Sequence, residues 1–173
     1  MIADGKEDIN NEMIRKMQVA DIDECVSVIK TAFLTVAEDY GFTVENAPRF
    51  TAFAMNRERL QWQYNNEHRP MFVYLIDGKI TGYYSLSAPN GEEIELSNLS
   101  VLPEFRHKGI GKELLMHAFE FAKSNGCTVI NIGIVEENQV LRQWYESFGF
   151  FHIGVKKFDF FPFTCGYMKK ALV

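Results

Sequence analysis

The sequence predicts a mixed α/β fold of the α+β kind, because its elements do not alternate strictly and its strands are joined by tight turns. Three observations carry this. Met71–Ile76 and Ile80–Ser87 are β-rich runs joined by Asp77-Gly78-Lys79, a strong hairpin signal that makes the pair antiparallel. Two long amphipathic patterns, Ile22–Tyr40 and the segment from Ile110 to Asn125, read as helices far apart in the chain. The overall order, β-α-α-β-β-β-α-β-α-β-β, lacks the regular repeat of a doubly wound parallel sheet.

Each element has its own reason. Met13–Gln18 reads as a short first strand. Asp21 is a candidate N-cap with Glu24 three residues on, and Ile22, Cys25, Val26, Ile29, Phe33, Val36, Ala37 and Tyr40 then recur at helical spacing until Gly41. Val44–Asn66 contains Pro48 and then a more polar helix bearing Leu60, Trp62 and Tyr64; its irregularity marks it as a substrate-facing lip. Asn90-Gly91 turns the chain into the strand Ile94–Val101. The next helix runs to Asn125 and stops at Gly126, and Thr128–Val135 is an apolar strand of the buried type. Asn138–Phe148 is a helix ended by Gly149, and Phe150–Lys157 with Gly166–Leu172 close the sheet as an antiparallel pair.

At 173 residues the chain is long enough for one domain with a real core. Residues 1–12 are polar and unpatterned and read as a flexible leader, leaving 13–173 as the single folded domain. A net charge of −5 with no basic stripe argues against nucleic acid as a partner and leans toward a cationic substrate. Cys25, Cys127 and Cys165 are scattered and odd in number, which suits reduced thiols in the cytoplasm better than disulfides or zinc. No apolar run approaches a membrane span, and no His, Cys or carboxylate spacing suggests a metal.

The chemistry concentrates at Val101–Leu115. A strand end, a tight turn with Gly109 and Gly111, and a helix start bring backbone N–H groups and the positive end of a dipole to one point; Arg106, Lys108 and Lys112 add charge. That is a cradle for a pyrophosphate. A Walker A loop fails because Gly111-Lys112 is followed by Glu113, and a dinucleotide fingerprint fails because its third glycine is Leu114.

Arg106-x-x-Gly109-x-Gly111, after a strand ending Leu99-x-Val101, resembles the acetyl-CoA signature of the GNAT acetyltransferase superfamily. Asn138 followed by Trp144-Tyr145-Glu146 and Gly149-Phe150 resembles that family's later motif, with Trp144 where leucine is usual. The element order is also similar, from about Met13 to Leu172. The resemblance implies a mostly antiparallel sheet of six or seven strands flanked by about four helices and splayed between the fourth and fifth strands. It implies transfer of acetyl from acetyl-CoA to a primary amine within a ternary complex. The pyrophosphate would rest on Arg106, His107, Lys108, Gly109, Ile110, Gly111 and Lys112, and the pantetheine on the backbone of Leu99, Ser100 and Val101 and on Asn138.

By the same resemblance Tyr145 would protonate the leaving thiolate, the Leu99 N–H would polarise the thioester carbonyl, and Glu95 would be the general base. Glu95 lies four residues before Leu99; the two share a face on a regular strand, and a bulge between them would end that. Plainer readings stand beside these: Tyr145 as packing, Asn138 as a helix cap, Glu95 as one of a solvated acidic group with Glu92 and Glu93. Ribosomal-protein acetyltransferases of this superfamily carry a glutamate where this chain has Gly133, which lowers that substrate class. Asp159, amid Phe158, Phe160, Phe161 and Phe163, is a candidate for holding an ammonium, or an exposed acid beside a core cluster. The acceptor stays open: a small amine or a peptide. Many relatives are dimers, so a homodimer is possible. Other readings of the chain are a coenzyme A-binding module without catalysis and a nucleotide-binding module.

Overall fold

A computed structural model describes residues 12–173, so the expected leader lies outside the described residues except for Glu12, the first residue of strand β1. The chain runs β1 (Glu12–Lys16), α1 (Ile22–Tyr40), α2 (Thr51–Ala54), α3 (Arg57–Trp62), β2 (Met71–Ile76), β3 (Lys79–Leu86), β4 (Glu93–Val101), α4 (Ile110–Ser124), β5 (Val129–Val135), α5 (Gln139–Ser147), β6 (Phe151–Lys157) and β7 (Thr164–Ala171). One seven-stranded sheet has the order β1-β2-β3-β4-β5-β7-β6. Among the described residues β4 and β5 pair in parallel and the other neighbours in antiparallel fashion.

The β2–β3 hairpin forms as expected, with Asp77 at φ +48° and Gly78 at φ +79°, the paired positive angles of a turn that matches strand twist. One expectation needs correction. Asp21 is helical (φ −86°, ψ −10°) and makes no side-chain cap for α1; its carboxylate accepts from the Gln18 N–H at 2.7 Å and pairs with Arg15, while Glu24 accepts from the Ile80 N–H at 2.9 Å. The helix expected to carry Leu60, Trp62 and Tyr64 within Val44–Asn66 forms, as α3 running on into a π-helical segment, Gln63–Glu67. Met55 is extended, and Asn56 restarts the chain as the N-cap of α3 by accepting from the Arg59 N–H at 2.8 Å.

The sheet is covered on both faces. Gly82, Tyr84 and Leu86 of β3, Ile94 and Leu96 of β4, and Ile130, Ile132 and Ile134 of β5 face α4 and α5. A side chain at Gly82 would meet the Leu114 side chain at 2.8 Å, so this glycine lets α4 lie close on the sheet. On the other face α1 and α3 pack on Val73, Ile80 and Tyr83. Beyond them Phe42, Phe50 and Phe163 join the α1–α2 segment to the β6–β7 loop.

Candidate active site

The site begins where the sheet comes apart. β4 and β5 pair only at Glu93–Val129, Ile94–Ile130 and Glu95–Asn131, and beyond those rungs they diverge. The expected splay is therefore present, as a V whose apex is the Glu95–Asn131 pair. A cleft of about 640 Å³ follows the V, bounded by α1 on one side and by α4 and α5 on the other. A separate hollow of about 380 Å³ lies between α4 and the last residues of the chain, lined by Phe119, Phe148 and Leu172, and holds none of the expected site groups.

β4 is also bulged. Tyr83 faces Ser100 and Ser85 faces Ser97, so Tyr84 alone opposes Asn98 and Leu99. Asn98 adopts φ +54°, and the Ser100 hydroxyl donates to the Asn98 carbonyl at 2.8 Å. The extra residue reverses the alternation of side chains. Ile94 and Leu96 before it, and Leu99 and Val101 after it, all pack toward α4. Glu95 thus points to the α1 face and is exposed, so it does not share a face with Leu99. The regular-strand expectation fails for that reason alone.

The anion turn forms at the wide end of the V. Gly109, at φ +84°, is the N-cap of α4, a conformation that needs glycine, and no side chain caps the helix. His107 is also left-handed, at φ +62°. Gly111 sits against α5: a Cβ there would lie 3.6 Å from the Trp144 ring, so Trp144, in the place of the usual leucine, seals the first turn of α4. Residues Arg106, His107, Gly109, Ile110, Gly111 and Lys112 all line the cleft, whereas Lys108 leans on the Phe105 ring at 5.2 Å.

Arg106 is differently placed from the expected charge donor. Its guanidinium donates to the Val101 carbonyl at 3.3 Å, to the Thr35 hydroxyl at 3.0 Å and to the Ala32 carbonyl at 3.1 Å. Burial lowers its pKa, with Asp39 opposing. The side chain is a strut between β4 and α1, and the positive field at the turn falls to the helix start and Lys112.

Tyr145 is buried on α5 between Trp144 and Phe150 and lines the cleft; burial pushes its phenol well up. Asn138 is a cap, its Oδ1 accepting from the Leu141 N–H at 3.2 Å, and it lines the cleft as well. Leu99, Ser100 and Val101 border the cleft from β4. Asp159 is exposed and Phe163 is core, while Phe160 is exposed and takes the Arg49 guanidinium at 4.3 Å.

With this geometry the comparison with known sequences is decisive: the family described as Acetyltransferase (GNAT) matches residues 33–150. The chain belongs to the GNAT acetyltransferase family. This GNAT protein is 26% identical over 175 residues to an uncharacterized N-acetyltransferase of Lactobacillus delbrueckii subsp. lactis, covering 88% of this chain and 93% of the relative. It is 34% identical over 94 residues to N-acetylaspartate synthetase of Xenopus tropicalis, covering 53% of this chain and 34% of that protein's length. Its fold is similar to that of yncA of Salmonella typhimurium, described with its cofactor acetyl-CoA, at TM-score 0.72 and 22% identity, covering 95% of each chain.

Sequence reasoning anticipated a bulge in this strand from the resemblance, which falls at Asn98, and missed two parts of this GNAT site: the strut role of Arg106 and a polar face on the α1 side. On that face the Lys169 ammonium donates to Glu93 at 2.9 Å and the Asn131 amide donates to Glu93 at 3.0 Å, which together hold the Glu93 carboxyl below its usual range.

Proposed function

We propose that residues 13–173 act as one catalytic domain that transfers acetyl from acetyl-CoA directly to a primary amine, with both substrates bound at once in the β4–β5 cleft. The single observation that carries this is the V-shaped break in the sheet opening onto the uncapped start of α4. Strand edges that lose their neighbour need hydrogen-bond partners, and a pantetheine amide chain supplies them. The N–H groups from His107 to Lys112 hold the diphosphate, with Lys112 adding charge. Arg106 contributes its backbone to that turn, and the amide end of Asn138 meets the pantetheine.

In the reaction the Leu99 N–H, freed to turn by the Asn98 bulge, stabilises the charge that develops on the thioester oxygen. Glu95 stands on the opposite face, where an amine would arrive, and takes the ammonium proton through water. The amine nitrogen then bonds to the acetyl carbon, its second proton passes to solvent, the carbon–sulfur bond breaks, and the Tyr145 phenol gives its proton to the departing thiolate. Solvent restores the phenol. Burial pushes the thiols of Cys25, Cys127 and Cys165 upward, so none offers a thiolate for a covalent acetyl-enzyme. Reduced, shielded thiols also suit a cytoplasmic protein, and a homodimer is the assembly we favour.

Thermal melts with acetyl-CoA test the reading. At a hundredfold excess over the dissociation constant the ligand stabilises by about 2.7 kcal/mol, a rise of several degrees. An amine panel with mass detection then reports an increase of one acetyl group. A folded protein that millimolar acetyl-CoA leaves unshifted removes the proposal.

A further inference from the structure

We infer that the acceptor reaches the thioester across Gly133, between the Tyr167 ring and Glu95, and that this passage selects a primary ammonium carried on an unbranched methylene. The inference rests on the acetyl-transfer reading above.

The register places these groups together. Glu95, Asn131 and Lys169 form one cross-strand row over β4, β5 and β7 at the apex of the V. Gly133 is the next residue of β5 on that same face, and it pairs with Tyr167. Having lost β4 as a neighbour, Gly133 lines the cleft, and its vacant side-chain position faces the Tyr167 ring, where a Cβ would lie 3.8 Å from Cε1. Gly133 therefore leaves the space beside the Tyr167 ring open on the α1 side of the V. Two residues further along both strands, Val135 and Cys165 join the Phe42, Phe50 and Phe163 cluster, so an apolar floor leads away from the apex.

The chemistry of the opening then names its guest. Lys169 is engaged by Glu93, which leaves the exposed carboxylate of Glu95 as the charge beside the apex. Burial, then Cys165 and Glu95, push the Tyr167 phenol upward, so the ring stays neutral and electron-rich. A carboxylate beside an aromatic face is a site for an ammonium. The apex is narrow: the strands are still paired at Glu95–Asn131, about 4.8 Å apart, and they open only beyond it. A carbon branch next to the nitrogen would meet the Tyr167 ring, whereas a CH2–NH3+ end passes and its methylene stem lies on the phenylalanine floor.

The test uses saturating acetyl-CoA with 1,5-diaminopentane, whose nitrogens sit on methylenes, or L-alaninamide, whose nitrogen sits on a branched carbon. The expected kcat/KM ratio favours the diamine by about tenfold or more, the scale of one misfitting methyl. Tyr167→Ala raises the diamine KM about tenfold while Tyr167→Phe, which keeps the ring, changes it less than about threefold. Gly133→Ala makes only an ordinary contact and keeps the fold, so it tests the passage even if Tyr167→Ala does not fold; its diamine KM rises while coenzyme A affinity stays within about twofold. Equal use of the two amines, an unchanged diamine KM in Gly133→Ala, or turnover of neither amine by protein that binds acetyl-CoA overturns this inference alone. Failure to bind acetyl-CoA overturns the proposed function with it.

Discussion

Tyr145 combines two properties that rarely suit a surface tyrosine. It is enclosed by Trp144 and Phe150, and it still borders the cleft. Burial disfavours the phenolate, so the proton stays on the oxygen throughout the neutral range, where a thiolate leaving group needs it. Replacement by phenylalanine removes one oxygen and keeps the packing. Tyr145→Phe is expected to lower kcat about 100-fold, the usual scale for losing a general acid, with the acetyl-CoA KM within about twofold. Steady-state kinetics decide it: an unchanged kcat takes Tyr145 out of the chemistry. Because its pKa is raised, wild-type kcat shows no alkaline loss from Tyr145 until pH exceeds the ordinary tyrosine value of about 10.

At the scale of elements, the split sheet needs something to keep its open end in shape, and the Arg106 strut does this by tying the end of β4 to two positions on α1. Arg106→Met keeps the stem and loses three charge-assisted hydrogen bonds, for an expected destabilisation of about 2–4 kcal/mol in urea melts. Since the guanidinium serves the scaffold, acetyl-CoA and acetyl-pantetheine, which lacks the diphosphate, should lose KM by the same factor. A loss confined to acetyl-CoA would show that the side chain reaches the anion instead. This strut was invisible in the sequence because its partners lie 71 and 74 residues away. The local signals were legible: Asp77-Gly78 gave its turn, Gly109 its helix entry, Asn138 its cap. What failed were inferences that depend on a neighbouring strand. The Asn98 bulge exists only as a mismatch with Tyr84, so the facing of Glu95 could not be counted from strand period alone. Gly133 within a buried strand was the one available hint of the α1-side passage, since glycine there marks a close approach.

Taken whole, the described residues form three hydrophobic clusters about one sheet, and the protein's acid sensitivity follows from groups at their margins. His117 of α4 stands against the Phe72 ring at 4.7 Å, with Nδ1 2.6 Å from the Tyr84 hydroxyl, and burial lowers its pKa. The folded protein therefore keeps His117 neutral where the unfolded chain, titrating near about 6.5, has begun to bind a proton. The unfolded state binds more protons, so stability contributed by His117 is present above that pH and declines as pH falls through the lowered folded value. Asp21 acts later: Arg15 at 2.6 Å, then the Gln18 N–H, hold its carboxyl below the ordinary range, so its contribution persists until acid falls past about 4 and is lost beneath that. Thermal melts should therefore drop in two stages, first below about pH 6.5 and again below about pH 4. His117→Gln, which retains a polar partner for Tyr84, is expected to flatten the first stage and leave the second; Asp21→Asn leaves the first and makes the second shallower, with the share of Glu93 remaining. The hydrogen bond between His152 Nε2 and Glu136, 2.8 Å long, is common to all three proteins and cancels in the comparison. Parallel pH curves for wild type and His117→Gln would mean that the imidazole in the α4 core does not titrate with folding.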